Sequence, residues 1–371
     1  MPKAEHFTAG TEFPVYCTAF SPAGELLVGG GGGPSRSGVQ NKLALYKVDP
    51  TAKKIEQLTE YKLEKGEDAP MSMAIHPEDN VVVCGINGKE ESIAAGENFS
   101  CRIFNYSNEK IDLVDKKQAS SSKKSYDYLK VIRFSRDGKL LALGGTDSKL
   151  TVYKYPSLAP AFPPINYNKE EIYDLDFSSD GKQITALSEK NLGVWATEDG
   201  KLVQTIERPV FQKTVDAQFR ACRYGQGEYA GFLYVVVNPS SRRRAYIVKW
   251  DVGTWNKVAS KAVASKPITT FAISDDGKYL AYGSSDLSVG ICDSRTLRVL
   301  LRLPDVHSFP PTTIAFDHSS SILASGSPDN SVHLVMIPKT IGQGNSFLVV
   351  AVITLLFGLA LLIAFTMWQT L

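Results

Sequence analysis

The stretch from Gly29 to Asn41, GGGGGPSRSGVQN, has little side-chain chemistry and a great deal of main-chain chemistry. Five consecutive glycines pack nothing and lose the most backbone entropy on ordering, so the run reads as a loop and not as a strand interior. Strand-like residues flank it, Glu25–Val28 before and Leu43–Val48 after. Such a loop offers bare amides and carbonyls to a ligand or partner. A phosphate-binding P-loop needs Lys-Ser/Thr after its last glycine, and Val39-Gln40 stand there instead. No strand-to-helix switch follows, so a dinucleotide fingerprint is excluded too. Carbonyl oxygens gathered in a tight turn suit a hard cation, and the absence of an acidic side chain in the loop favours a monovalent one such as potassium. Asn41, where the loop rejoins a strand, supplies both a donor and an acceptor. A flexible hairpin tip is the simpler alternative.

Other reactive residues form no constellation. Ser37, His76 and Asp79 could be assembled into a triad, but no nucleophile elbow supports them. The five cysteines (Cys17, Cys84, Cys101, Cys222, Cys292) are scattered without a CxxC pair, and the five histidines lack metal-ligand spacing. Arg242-Arg243-Arg244 reads either as a solvated hairpin tip or as a surface for an acidic partner or anionic headgroups. With 41 basic and 39 acidic residues the net charge is +2, so no global field points to nucleic acid.

These residues must be held by something, and the chain shows what. Val131–Leu143, Tyr173–Leu187 and Thr270–Ala281 each consist of an alternating strand, a Ser-x-Asp-Gly-Lys turn and a second alternating strand. Degenerate copies begin at Cys17, Ser72 and Thr313, and a seventh is implied at Val215–Phe219 with Phe232–Val237. A third strand follows each hairpin. Aligned on Phe20, Ile75, Phe134, Phe177, Phe219, Ile273 and Phe316, the copies recur at intervals of 55, 59, 43, 42, 54 and 43 residues. The short intervals match the WD-repeat period of about 40–45 residues, and the long ones hold insertions. The expectation is an all-β, seven-bladed propeller over residues 1–338, with the segment before Phe13 completing the last blade. The loops between second and third strands share one face, which carries the glycine loop and the long Asn87–Asn98 loop; the Asp-Gly turns share the other. An insertion at Arg220–Ala230 is expected on that second face.

The C-terminal segment differs. After a short linker, 339–346, residues Phe347–Trp368 run twenty-two residues without a charge. As a helix they would reach about 33 Å, enough for a bilayer core of ~30 Å. With Lys339 before the span and a tail of 369–371 after it, the positive-inside tendency puts the propeller in the cytosol and the tail in the lumen. The first residues have no apolar core, so no cleavable leader is expected.

A seven-bladed propeller, a blade-one loop of the form Gly-Gly-Gly-Gly-x4-Gly-aliphatic-x-Asn (Gly30 to Asn41), and one C-terminal span resemble the endoplasmic-reticulum WD-repeat guanine-nucleotide exchange factors of the COPII coat, the prolactin regulatory element-binding protein family. The resemblance covers the whole chain, and the loop is its specific part. It implies a single-pass protein of the endoplasmic-reticulum membrane that expels GDP from, and admits GTP to, the small Ras-like GTPase starting COPII assembly, without covalent chemistry, small-molecule substrate or nucleic acid. Asn41 and Val39 would be the exchange-loop residues. Backbone oxygens among Gly31, Gly32, Gly33, Ser35, Ser37 and Gly38 would hold K+. Pro34 stiffens the loop, and the three-residue tail leaves out the luminal domain of some members. The alternative is a non-catalytic scaffold, anchored in the same membrane, that assists export of membrane cargo.

Overall fold

The computed structural model describes residues 4–34, 37–167, 170–208 and 216–342. Seven antiparallel sheets stand around a central channel, each built from sequence-consecutive strands except the last. Alternation writes this arrangement: each sheet is packed on both sides by its neighbours, and apolar residues from adjoining blades mesh into shared clusters such as Leu27, Leu43 and Leu45 with Val82, Cys84 and Phe104. The seventh sheet takes its outer strand from the start of the chain, as the sequence suggests. Glu5–Gly10 pairs antiparallel with Ser331–Met336, Thr8 opposite His333. Closure in this way joins the first and last blades into one ring, and the outer strand of each sheet is its remaining edge.

The turns also follow the sequence. In blades three, four and six the Ser and Asp of Ser-x-Asp-Gly-Lys bond each other and the backbone, with Ser135, Ser178 and Ser274 each donating to the aspartate two residues on at 2.6–2.7 Å. The glycine of each turn sits at φ 68–74°.

Three expectations need correction. Gly29 and Gly30 are strand residues, paired with Leu43 and Lys42. They are glycines because the neighbouring chain is too close for anything else. A Cβ on Gly29 would lie 2.6 Å from Cys17 Sγ, and one on Gly30 1.8 Å from the Pro14 carbonyl oxygen. In blade five the first strand runs Ala217–Tyr224, past Phe219, through a bulge at Arg220. Arg220 therefore lines the channel instead of belonging to an insertion on the Asp-Gly face. Ile341, expected in the linker, is buried with Leu300 and Ile337 against blade six. The expected span 347–368 and tail 369–371 lie outside the described residues, and no helix among the described residues is long and apolar enough to cross a membrane.

The closing seam contains His333, buried, with Nδ1 at 2.7 Å from Thr8 Oγ1. Burial, reinforced by His307 and His6, holds its pKa down at about 3. The unfolded chain thus binds a proton near pH 6.5 that the folded chain refuses until about pH 3, so folded-state stability falls as pH drops through that window. Urea unfolding should show a loss of roughly 2–3 kcal/mol between pH 6.5 and pH 4.5 in excess of that of His333→Gln. Equal pH slopes for the two proteins would refute the assignment.

Candidate functional site on the glycine-loop face

The loop leaves its strand at Gly30 and returns at Lys42. Its inner arm packs and its outer arm faces solvent: Gly31 is buried and Gly32 and Gly33 partly so, whereas Ser37, Gly38, Val39 and Gln40 are exposed. Gly31, Gly33 and Gly38 take φ of 143°, 77° and 80°, conformations that an L side chain rarely adopts. The arms also lie too close for side chains: a Cβ on Gly32 would stand 1.7 Å from Ser37 Oγ. Ser35 lies outside the described residues.

Asn41 fastens the loop. Its Oδ1 accepts from the Gly33 N–H at 2.9 Å, and its Nδ2 donates to the Gly33 carbonyl and to the Glu67 carbonyl, both at 2.8 Å. The side chain is 6% exposed, with both functions of its carboxamide satisfied. Gln40 Nε2 adds a bond to the Leu63 carbonyl at 2.8 Å. The Gly31 N–H donates to the Pro14 carbonyl at 2.9 Å. The glycine loop is thereby tied to the connection between blades one and two, residues 63–71. That connection is anchored by the Glu67 carboxylate, 2.7 Å from Arg102 Nη2 of blade two, with both side chains largely buried. Val39 is held outward, 37% exposed.

Blade two places a second wall beside the loop. Its long loop contains a six-residue helix, Glu90–Ala95, ended by Gly96 at φ 92°. Asn98 Nδ2 donates to Asn87 Oδ1 at 3.0 Å, and Asn87 Nδ2 to the Asp127 carbonyl at 2.8 Å. Between the two loops lies a groove of about 500 Å³, lined by Gly33, Pro34, Asp68, Ile93, Tyr126 and Tyr128 among others. Asp68 sits at its floor with its carboxyl held above the ordinary range by burial, against a lowering hydrogen bond from the Ala69 N–H. Neither the groove nor Asp68 is foreseen by the sequence reading. The only sequence signal is the length of the Asn87–Asn98 loop.

The exposed large apolar side chains are unevenly placed. Leu113, Val114, Leu202, Val203 and Val258 lie on outer strands, while Val39, Phe99, Tyr126 and Phe309 lie in loops. All four loop residues fall on the glycine-loop face, in blades one and two or in the connections two-to-three and six-to-seven. Of these, Tyr126 lines the groove and Val39 belongs to the glycine loop.

Catalytic alternatives find no geometry. His76 and Asp79 approach at 3.4 Å, but in a turn on the face opposite Ser37. The five cysteines are all buried, and burial pushes the Cys101 thiol up to about 12. Among the described residues no cluster of His, Cys, Asp and Glu could hold a metal ion.

Replacing Asn41 by Ala should leave the Gly33 amide and two carbonyls without their partner, at a local cost of about 1–3 kcal/mol. Faster hydrogen exchange at Gly33 and quicker proteolysis within residues 31–40, with the rest of the propeller unchanged, are the expected readouts. Unaltered exchange at Gly33 would contradict the fastening role.

Comparison with known proteins agrees with the architecture. The WD domain, G-beta repeat family matches residues 298–335, the end of blade six and most of blade seven. SEC12-like protein 2 of Arabidopsis thaliana is 26% identical over 310 residues, covering 82% of this chain and 74% of its own. The guanine nucleotide-exchange factor SEC12 of Candida glabrata is 25% identical over 350 residues, 90% of this chain and 72% of its own. The mouse (Mus musculus) guanine nucleotide-exchange factor SEC12 is 29% identical over 195 residues, 50% of this chain and 46% of its own. The chain is a WD-repeat propeller related to the SEC12 and SEC12-like proteins.

Proposed function

We propose that this chain is a guanine-nucleotide exchange factor for a small Ras-like GTPase, the one that initiates COPII vesicles, and that it contacts the GTPase with the glycine-loop face. The observation that carries this reading is the glycine loop itself, whose outer arm holds Val39 exposed to solvent while the buried Asn41 carboxamide bonds the inner arm from both of its ends. Relatives named as guanine nucleotide-exchange factors in a yeast and a mouse support the activity. Exchange needs no covalent step. A factor that binds the nucleotide-free GTPase more tightly than the loaded form drives nucleotide release by that difference.

Within this mechanism Val39 is the contact residue, thrust out by the exposed arm. Asn41 is a positioning residue, since its carboxamide is turned inward to Gly33 and Glu67. A loop ordered before binding loses less entropy on docking than a free glycine run. Potassium fits the same logic. The donors available among the described loop residues are neutral main-chain oxygens of Gly31, Gly32, Gly33, Ser37 and Gly38, a chemistry suited to a monovalent hard cation. The ion would supply further stiffening of the loop. The Gly33 carbonyl already accepts from Asn41 and keeps a second lone pair.

Residues 347–368 serve in this reading as a single anchor in the endoplasmic-reticulum membrane. The chain reaches Gly342 beside Arg298, in the turn between the third and outer strands of blade six. That turn is on the face opposite the glycine loop, so the GTPase-binding face would point away from the bilayer.

GDP release from the purified GTPase should accelerate at least tenfold with the full chain, and Val39→Asp should abolish most of that gain without lowering thermal stability. Asn41→Ala should lose activity in parallel with loop protection. Exchange and loop proteolysis should both worsen when potassium is replaced by lithium. No acceleration by the wild-type chain would sink the proposal, and indifference to the salt would remove the cation from it.

A further inference from the structure

Across the channel from the glycine loop, on the same face, blades five and six enclose a cleft of about 880 Å³. Its lining includes Lys130, Tyr173, Arg220, Arg242, Lys266 and Ser285. Lys130, Tyr173 and Arg220 also line the channel, so the cleft opens into the channel mouth. The cations come from separate places in the chain. Lys130 is in the first strand of blade three and Arg220 at the bulge of blade five. Arg242, at φ 53°, is in the tip between the second and third strands of blade five, and Lys266 lies in the connection to blade six.

Three of the neighbouring carboxylates are paired with other cations, and a fourth is held by a neutral amide. Glu171 lies 2.9 Å from Lys130 Nζ, Asp216 3.3 Å from Arg208 Nη2 and Asp286 2.8 Å from Arg302 Nη2. Glu189 accepts from Gln218 Nε2 at 2.9 Å. Arg220, Arg242 and Lys266 have no ion-pair partner among the described residues, and the stretches outside the described set contain no Asp or Glu at all. Arg220 and Lys130 are arranged about the Tyr173 ring, with Lys130 Nζ 4.1 Å and Arg220 Cζ 5.9 Å from its centroid. Three cations without an ion-pair partner thus line one concavity, against the single Glu189 carboxylate that a neutral donor holds, and low-dielectric walls focus their field.

We propose that this cleft binds a compact, soluble polyanion carrying two or more phosphates. Concavity separates such a ligand from a flat acidic protein surface, and the volume falls in the ~300–1,000 Å³ range of small-molecule sites. The guanidinium fork of Arg220 matches phosphate oxygens, with Arg242 and Lys266 closing from the rim. With residues 347–368 as the anchor proposed above, the chain leaves the propeller on the opposite face, which favours a free ligand over a lipid headgroup. The site is independent of the exchange reading, because none of its residues belongs to the glycine loop or its fastening.

Titration of the full chain with sodium tripolyphosphate at about 0.15 M salt should give saturable, one-site heat. Arg242→Gln and Lys266→Gln, both at exposed positions that leave the core untouched, should each weaken binding about tenfold, and Arg220→Gln at least as much. Lys54→Gln, exposed on an outer strand of blade one, should not change it. Absence of saturation, equal weakening by Lys54→Gln, or tighter binding of poly-glutamate than of tripolyphosphate would overturn the proposal. So would capture by phosphatidylinositol-bisphosphate vesicles without any tripolyphosphate heat. GDP release measured on the same variants separates this site from the exchange site.

Discussion

A single carboxamide determines whether the glycine loop has a shape at all. The inner arm has glycines at positive φ and no side chains to pack, so its conformation must come from bonds made to it by something else. Asn41 supplies them from both ends of its amide, and passes the restraint on to the Glu67 carbonyl. Glu67 is itself pinned by Arg102 of the next blade. The outward pose of Val39 therefore rests on a chain of polar contacts crossing from blade one to blade two. Such buried networks are worth having only when every member is partnered, and here the Arg102 Nε lacks a partner among the described residues.

The same device recurs around the ring. In blade two Asn87 and Asn98 join the ends of the long loop and tie it to the connection leading into blade three. In blade five Asn238 exchanges two bonds with Ile268, donating to its carbonyl at 2.9 Å and accepting from its amide at 3.0 Å. Asn41, Asn87 and Asn238 each reach from one blade to the connection or strand of the next, where no ladder bonds join the sheets. Blades two and five carry the other elaborations of this face: the helix-bearing wall of the groove and the rim of the basic cleft.

The blade pattern was legible because it depends on local chemistry, period-two alternation and Asp-Gly turns. The third strand of blade two, for example, spans Cys101–Tyr106 in both the pattern and the fold. What escaped depends on residues far apart in sequence. Gly29 and Gly30 look like loop residues until Cys17 and Pro14 are seen pressing on them. Asn41 is visible as a donor and acceptor, but its burial is set by residues 63–71. Asp68 and the groove exist only where two insertions meet, and Arg220 is turned into the channel by a bulge that no local pattern announces. Val39 is singled out by resemblance alone, since nothing in its local sequence marks it, and the fold leaves it 37% exposed.

The seam between the two ends of the chain also imposes an order in time. Thr8 meets His333 across 325 residues of sequence. At a synthesis rate of ~5–20 residues per second, the first strand must wait roughly a quarter of a minute to a minute for its partner. Blade one waits with it, because Phe13, Val15 and Leu26 share a core with Val332 and Leu334. The loop's own anchor at Pro14 lies beside that unfinished core. The glycine loop, among the earliest-made segments, is thus among the last to be secured, because the core its blade shares is completed only once Ser331–Met336 has been made.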